Sequence, residues 1–128
     1  MRKILFLASL LLTLSCNNMG GNKTKVVFLG DSITEQGADL DIGFINLLKN
    51  NLIQSDFELI GKGISGNKIS DLLVRYKTDV LGLNPDIVFI YIGINDVWHK
   101  YDFGTGSDID IYERGLREII SDIIKSGS

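Results

Sequence analysis

Apolar and polar residues change period several times along the chain, and each change marks an element. Residues 25–29 form a nearly continuous apolar run, the pattern of a strand covered on both faces. Between 43 and 53, apolar residues at 44, 45, 47, 48, 52 and 53 fall at helical spacing. Residues 57–60 predict a second strand, which runs into a glycine-rich loop from Gly61 to Lys68. Residues 69–81 are again amphipathic with a helical period, and Asn84-Pro85 stops them. The stretch 86–92 is the strongest strand pattern in the chain, and a loop is expected from Gly93 to about Asp110. Residues 111–125 then carry a helical stripe at 112, 116, 119, 120, 123 and 124. The order is β-α-β-α-β-α, which predicts an α/β fold with a parallel sheet between helices. Functional loops of such sheets collect at the carboxyl ends of the strands. Loops 30–34, 61–68 and 93–100 meet in one crevice if the first strand lies between the other two.

The first sixteen residues follow a different pattern. Met1-Arg2-Lys3 is a basic head, and residues 4–12 are an apolar run. That run is too short to cross about 30 Å of hydrocarbon as a helix, but it fits the core of a secretory signal. It ends in Thr13-Leu14-Ser15-Cys16 and resembles a bacterial lipoprotein signal, which implies lipidation of Cys16 and a protein anchored at the cell envelope. The alternative is an ordinary cleaved signal and a secreted protein. Residues 17–24 read as a polar tether, leaving 25–128 for a folded domain.

Composition narrows the partners more than the activity. The 128 residues are 45% apolar and 23% charged with a net charge of −3, so no basic surface for nucleic acid is expected. One cysteine excludes an intrachain disulfide, and one histidine and one cysteine give no clustered metal-ligand set, so neither metal nor organic cofactor is expected. Nothing in the sequence reads on oligomeric state.

The three strand-end loops hold the candidate chemistry. Gly30-Asp31-Ser32 puts a hydroxyl after a buried strand and near a helix N-terminus, where backbone N–H groups favour developing negative charge. Read alone, it is also a turn with an Asp or Ser cap. Gly61-Lys62-Gly63-Ile64-Ser65-Gly66 fits G-x-G-x-x-G, so nucleotide binding through Gly61, Gly63 and Gly66 is a remote alternative. It follows the second strand, however, and lacks the acidic residue at the expected place. Gly93-Ile94-Asn95-Asp96 places an untitratable amide donor, or simply a turn residue, at the third strand end.

Gly30-Asp31-Ser32, Ile64-Ser65-Gly66-Asn67 and Gly93-Ile94-Asn95-Asp96 together resemble, in that order, the GDSL/SGNH hydrolase family. The resemblance spans essentially all of residues 25–128. It implies a flavodoxin-like three-layer α/β/α sandwich, here ending after about three β-α units, and hydrolysis of carboxylic esters through an acyl-enzyme. It makes Ser32 the nucleophile, and the Ser32 and Gly66 backbone N–H groups with the Asn95 side chain the oxyanion hole. Asp31 and Asp96 become loop ties rather than acids. Substrates of the family include small acyl esters, acetylated sugars and lysophospholipids, and none of these is selected by the sequence.

Family members carry a further Asp-x-x-His block after the last strand, whose histidine deprotonates the serine. No such block follows residues 111–125, so the sequence is expected to be the N-terminal part of the fold, inactive by itself. Asp96-Val97-Trp98-His99 has the same spacing at a different place. His99 is expected to line the cleft or support its loop rather than to act as base. The alternative of another class is a non-catalytic envelope lipoprotein that binds ligands in the cleft.

Overall fold

The computed structural model describes residues 23–52 and 56–128; the signal segment, Cys16 and most of the tether lie outside the described residues. The elements are β1 (Thr24–Gly30), α1 (Ser32–Asp39), α2 (Phe44–Asn51), β2 (Phe57–Gly63), α3 (Ile69–Asp79), a 3-10 turn (Leu81–Leu83), β3 (Ile87–Tyr91), α4 (Ile94–Asp102) and α5 (Ile109–Ser126). The strands form a parallel sheet in the order β2-β1-β3, with Val26 beside Leu59 on one side and Ile87 on the other. The first strand is therefore central, and the three strand ends share one edge of the sheet.

Burial explains why β1 reads as a continuous apolar run. Val27 and Leu29 point into a core with Ile69, Leu72, Tyr76 and Val80 from the α3 region and Ile119 and Ile123 from α5. Val26 and Phe28 point the other way, onto Ile45 of α2 with Ala38 of α1 packed alongside. Helices thus cover both faces of the central strand, giving the three-layer arrangement expected from the sequence. Lys25 fastens the entry of β1: its N–H donates to Asp86 Oδ2 at 2.6 Å and its Nζ to the Leu83 carbonyl at 2.7 Å. Asn84 closes the 3-10 turn in the left-handed region at φ 48°, where Asn is tolerated, and Pro85 follows.

The element boundaries differ from expectation in three places. Residues 32–39, for which no apolar stripe is evident, form α1. The glycine-rich loop is shorter than expected, because Gly61 and Gly63 belong to β2 and only residues 64–68 are loop. The loop expected over 93–110 contains α4, and α5 begins at Ile109. The helical spacing of Ile94, Val97, Trp98 and Tyr101 is present in the sequence, but it belongs to the outward side. The inward side of α4 is polar, with Asn95 6% and Asp96 3% exposed, whereas Trp98 is 62% exposed. An amphipathic helix turned over in this way does not announce itself through burial logic.

Tyr76 gives α3 a titratable tie to α5. Its hydroxyl donates to Asp122 Oδ2 at 2.7 Å. Burial, then the Asp122 hydrogen bond and the charges of Asp122 and Glu118, push the phenol from its ordinary value of 10.0 up to about 12. The same hydrogen bond, followed by Lys125, holds the Asp122 carboxyl below the usual carboxylate range. A raised folded value means stability that is complete below the unfolded value and lost as pH rises through the folded one. The Tyr76 contribution is therefore whole below pH 10 and disappears towards about pH 12. The Asp122 contribution has the opposite sign: it is present above the ordinary carboxylate value and fades as pH falls through the lowered one. Urea midpoints of Tyr76→Phe, compared with the parent chain, should lose the part of the alkaline decline that falls in that window. An identical alkaline slope in both proteins would mean the phenol is not held protonated.

Candidate functional site

The site is assembled where β1, β2 and β3 end. Asp31 is the N-cap of α1: its Oδ1 accepts from Ile33 N–H at 3.0 Å, so the Asp and not the Ser does the capping. Ser32 is the first helical residue, at the positive end of α1, and its backbone N–H has no intrahelical partner to give itself to. Among the described residues neither that N–H nor the Ser32 hydroxyl is engaged in a hydrogen bond. Asp31 is fully buried, and its second carboxylate oxygen is without a partner among the described residues.

Gly66 sits in the turn after β2 at φ +77°, a conformation that favours glycine, and nothing would touch a Cβ there within 4 Å. Its N–H is also unengaged among the described residues. Asn95, in the first turn of α4, reaches across to loop 64–68 and donates through Nδ2 to the Asn67 carbonyl at 3.0 Å. An amide group has two N–H bonds, so one remains for a ligand. Asp96 accepts from Ile69 N–H with both oxygens, at 3.2 and 3.1 Å, pinning the start of α3 to the start of α4. Ser65 is tied to α1 through Glu35, whose Oε2 accepts from the Ser65 N–H at 2.9 Å and from its hydroxyl. Ile64 N–H donates to the Gly30 carbonyl at 3.2 Å. The three loops anticipated from the strand ends are thereby knitted into one surface.

His99 stands apart from this network. Its ring lies edge-on to Phe103 with centroids 5.3 Å apart, and its carbonyl accepts from Phe103 and Thr105 N–H at 3.2 and 2.9 Å, closing the end of α4. The imidazole makes no hydrogen bond among the described residues, and the carboxylate three residues before it is committed to Ile69. The spacing Asp-x-x-His is therefore present without the contact. Tyr112 supports the loop from α5: its hydroxyl donates to the Ile92 carbonyl at 3.1 Å, and burial, then the charge of Asp96, raise its pKa.

An apolar cleft of about 450 Å³ lies beside α1, among Phe28, Ile33, Phe44, Leu48, Phe89 and Tyr91, but Ser32, Gly66 and Asn95 do not line it. A second, of about 370 Å³, opens between α4 and α5 beneath Gly93, Asp96 and Tyr101. Among the described residues no group of three or more His, Cys, Asp or Glu is placed to hold a metal ion, and no helix is long and apolar enough to cross a membrane. Sequence reasoning missed Glu35 and Arg75, which reach the loops from helices; side-chain spacing assigns such residues to a helix and not to a partner.

A central parallel strand ending in Gly-Asp-Ser, flanked by strands ending in Ser-Gly-Asn and Asn-Asp loops, defines the class of SGNH-type α/β folds. The chain belongs to the GDSL-like lipase/acylhydrolase family, whose profile matches residues 28–127. It is 36% identical over 118 residues to an acetylxylan esterase of Geobacillus stearothermophilus, an alignment covering 78% of this chain and 54% of that protein. It is 34% identical over 100 residues to the uncharacterized lipoprotein YqeF of Bacillus subtilis (strain 168), covering 73% and 39%. Among solved structures, the acetyl xylan esterase AlAXEase superposes with a TM-score of 0.76 at 46% identity, over 80% of this chain and 53% of that one. The chain thus spans about half the length of the relatives it matches.

Proposed function

We propose that the protein takes part in serine-dependent hydrolysis of carboxylic esters through an acyl-enzyme, with acetyl esters of carbohydrates as the substrate class. The observation that carries this reading is that the N–H groups of Ser32 and Gly66 and one Asn95 amide hydrogen are unengaged among the described residues, in the loops that follow three adjacent parallel strands. Ser32 Oγ attacks the ester carbonyl and gives its proton to the histidine of the Asp-x-x-His block that the family resemblance implies. The oxygen that becomes anionic is held by these donors, and its collapse expels the alcohol, which takes up that proton and leaves acyl-Ser32 for water to hydrolyse. Each such donor is worth roughly 10²–10³ in rate where it has been removed from other hydrolases. The acetylxylan esterase relatives support the acetyl-carbohydrate class. Attachment to a bacterial envelope through lipidated Cys16 is part of the same proposal, supported by the signal-like sequence and the lipoprotein relative.

His99 is not proposed as the base that activates Ser32, since its imidazole has neither the Asp96 carboxylate nor another orienting partner. In a version that carries the downstream sequence with its Asp-x-x-His block, replacing His99 by Gln should accordingly leave ester hydrolysis within about tenfold of the parent, whereas a base costs far more. A collapse as deep as that of Ser32→Ala would make His99 the base after all.

The unpartnered Ser32 hydroxyl favours one second reading, a cleft-binding lipoprotein without catalysis. A fluorophosphonate probe separates the two. Covalent labelling at Ser32 of the complete protein, with its downstream block, supports the hydrolase, and a folded complete sample that stays unlabelled supports the binder.

A further inference from the structure

Arg75 lies on α3, outside every motif in the sequence, yet its guanidinium reaches the base of the site. Nη2 donates to the Gly30 carbonyl at 2.8 Å, Nε to Asn67 Oδ1 at 2.8 Å, and Nη1 to the Lys62 carbonyl at 3.1 Å. Nη1 also pairs with Asp79 Oδ2 at 2.6 Å, one turn along the same helix, and the Arg75 side chain is only 14% exposed. These partners are not scattered. Gly30 ends β1 two residues before Ser32, Lys62 lies in the last residues of β2, and Asn67 directly follows Gly66. The Asn67 carbonyl, in turn, is the acceptor that orients Asn95.

We propose that Arg75 is a positioning residue for the oxyanion hole, setting the spacing between the Ser32 N–H, the Gly66 N–H and the Asn95 amide through Gly30 and Asn67. The proposal rests on the reading of those three groups as oxyanion donors. A planar fork with donors in fixed directions can hold two strand ends and a loop side chain at once, while an ammonium is a single point charge on a flexible stem. Asp79 serves as the counter-ion beneath the fork and keeps the cation from turning towards solvent. Displacement of an active-site group by about 1 Å can cost about 10²-fold in rate.

The test compares Arg75→Met and Arg75→Lys with the parent chain, and with Arg117→Met, which removes an exposed pair to Glu113 on α5. The readout that needs no catalysis is the side-chain amide of Asn95 in ¹⁵N spectra, together with the Ser32 and Gly66 amides. In Arg75→Met the Asn95 amide should shift and its hydrogen exchange should quicken by about tenfold or more, while Arg117→Met leaves it unchanged. With an acetyl ester, and in versions that carry the Asp-x-x-His block downstream, kcat should fall about 10²-fold with KM close to the parent value. Arg75→Lys should not restore either, and it carries the test alone if Arg75→Met does not fold. Parent-like Asn95, Ser32 and Gly66 signals in Arg75→Met, or full restoration by Lys, overturn the proposal. A parent protein that carries the Asp-x-x-His block downstream and still hydrolyses no ester, while Asn95 responds to Arg75, overturns the esterase reading and leaves the positioning role standing.

Discussion

In a protein that carries the Asp-x-x-His block downstream, Ser32→Ala should abolish ester hydrolysis and fluorophosphonate labelling while leaving the fold almost untouched. The loss of activity follows from chemistry: the other hydroxyl in the first turn of α1, that of Thr34, is buried, and removing the nucleophile of a serine hydrolase costs on the order of 10⁶ in kcat. The preserved stability follows from the division of labour between neighbours. Asp31 accepts the Ile33 N–H and caps the helix, whereas the Ser32 hydroxyl is bonded to nothing among the described residues. Deleting it removes no folding interaction, and alanine suits a first helical position. The melting midpoint should therefore move by the equivalent of no more than about 0.5 kcal/mol. Asp31→Ala should do the reverse to stability, costing about 1 kcal/mol or more through the lost cap. Hydrolysis assays with an acetyl ester, run beside thermal melts of both variants, check the pair. Residual turnover in Ser32→Ala would place the nucleophile elsewhere, and a large drop in its midpoint would mean the serine is structural.

The parts of this architecture that were legible in the sequence are those governed by burial. Three strand patterns follow from apolar periodicity, and the convergence of three loops follows from the behaviour of parallel sheets once β1 lies between the other two, a condition that the sequence left open and the strand order meets. Ser32, Gly66 and Asn95 were legible through the resemblance of three strand-end motifs, taken in order, to one family, since each loop alone reads equally as a turn or a cap. What stayed hidden depends on side chains that reach back from helices. α4 escaped because its buried face is Asn95 and Asp96 rather than leucine and isoleucine. Glu35 and Arg75 escaped because a charged residue on an amphipathic helix looks like solvated surface until its partner is known. The dipeptide spacing Asp96-x-x-His99 illustrates the converse: helical spacing placed the two residues near each other, and the Ile69 N–H took the carboxylate.

The glycines of 61–66 show why a shared spacing need not mean a shared use, and they yield the largest expected loss of stability. A Cβ built on Gly63 would lie 2.0 Å from the Glu35 backbone nitrogen, 2.5 Å from the Thr34 carbonyl carbon and 2.7 Å from the Asp31 oxygen. All three atoms belong to the backbone at the start of α1, so no rotamer change can relieve the overlap; the helix itself must leave the sheet. Inserting carbon into a packed region usually costs about 1–3 kcal/mol when side chains can shift. Gly63→Ala should exceed about 3 kcal/mol, a large share of the 5–15 kcal/mol that holds an ordinary domain together. Gly61 is a milder case of the same packing, since its Cβ would meet the Ala38 side chain at 2.4 Å. Gly66 differs in kind. Its surroundings are empty, and the cost of Gly66→Ala is the left-handed backbone alone, about 1–2 kcal/mol. Urea denaturation should therefore rank Gly63→Ala well below Gly66→Ala, with the former also losing Ser32 reactivity because α1 carries the serine. If the two midpoints came out in the opposite order, α1 would not be seated on the end of β2, and the close approach of Gly63 to the first turn of α1 would be absent.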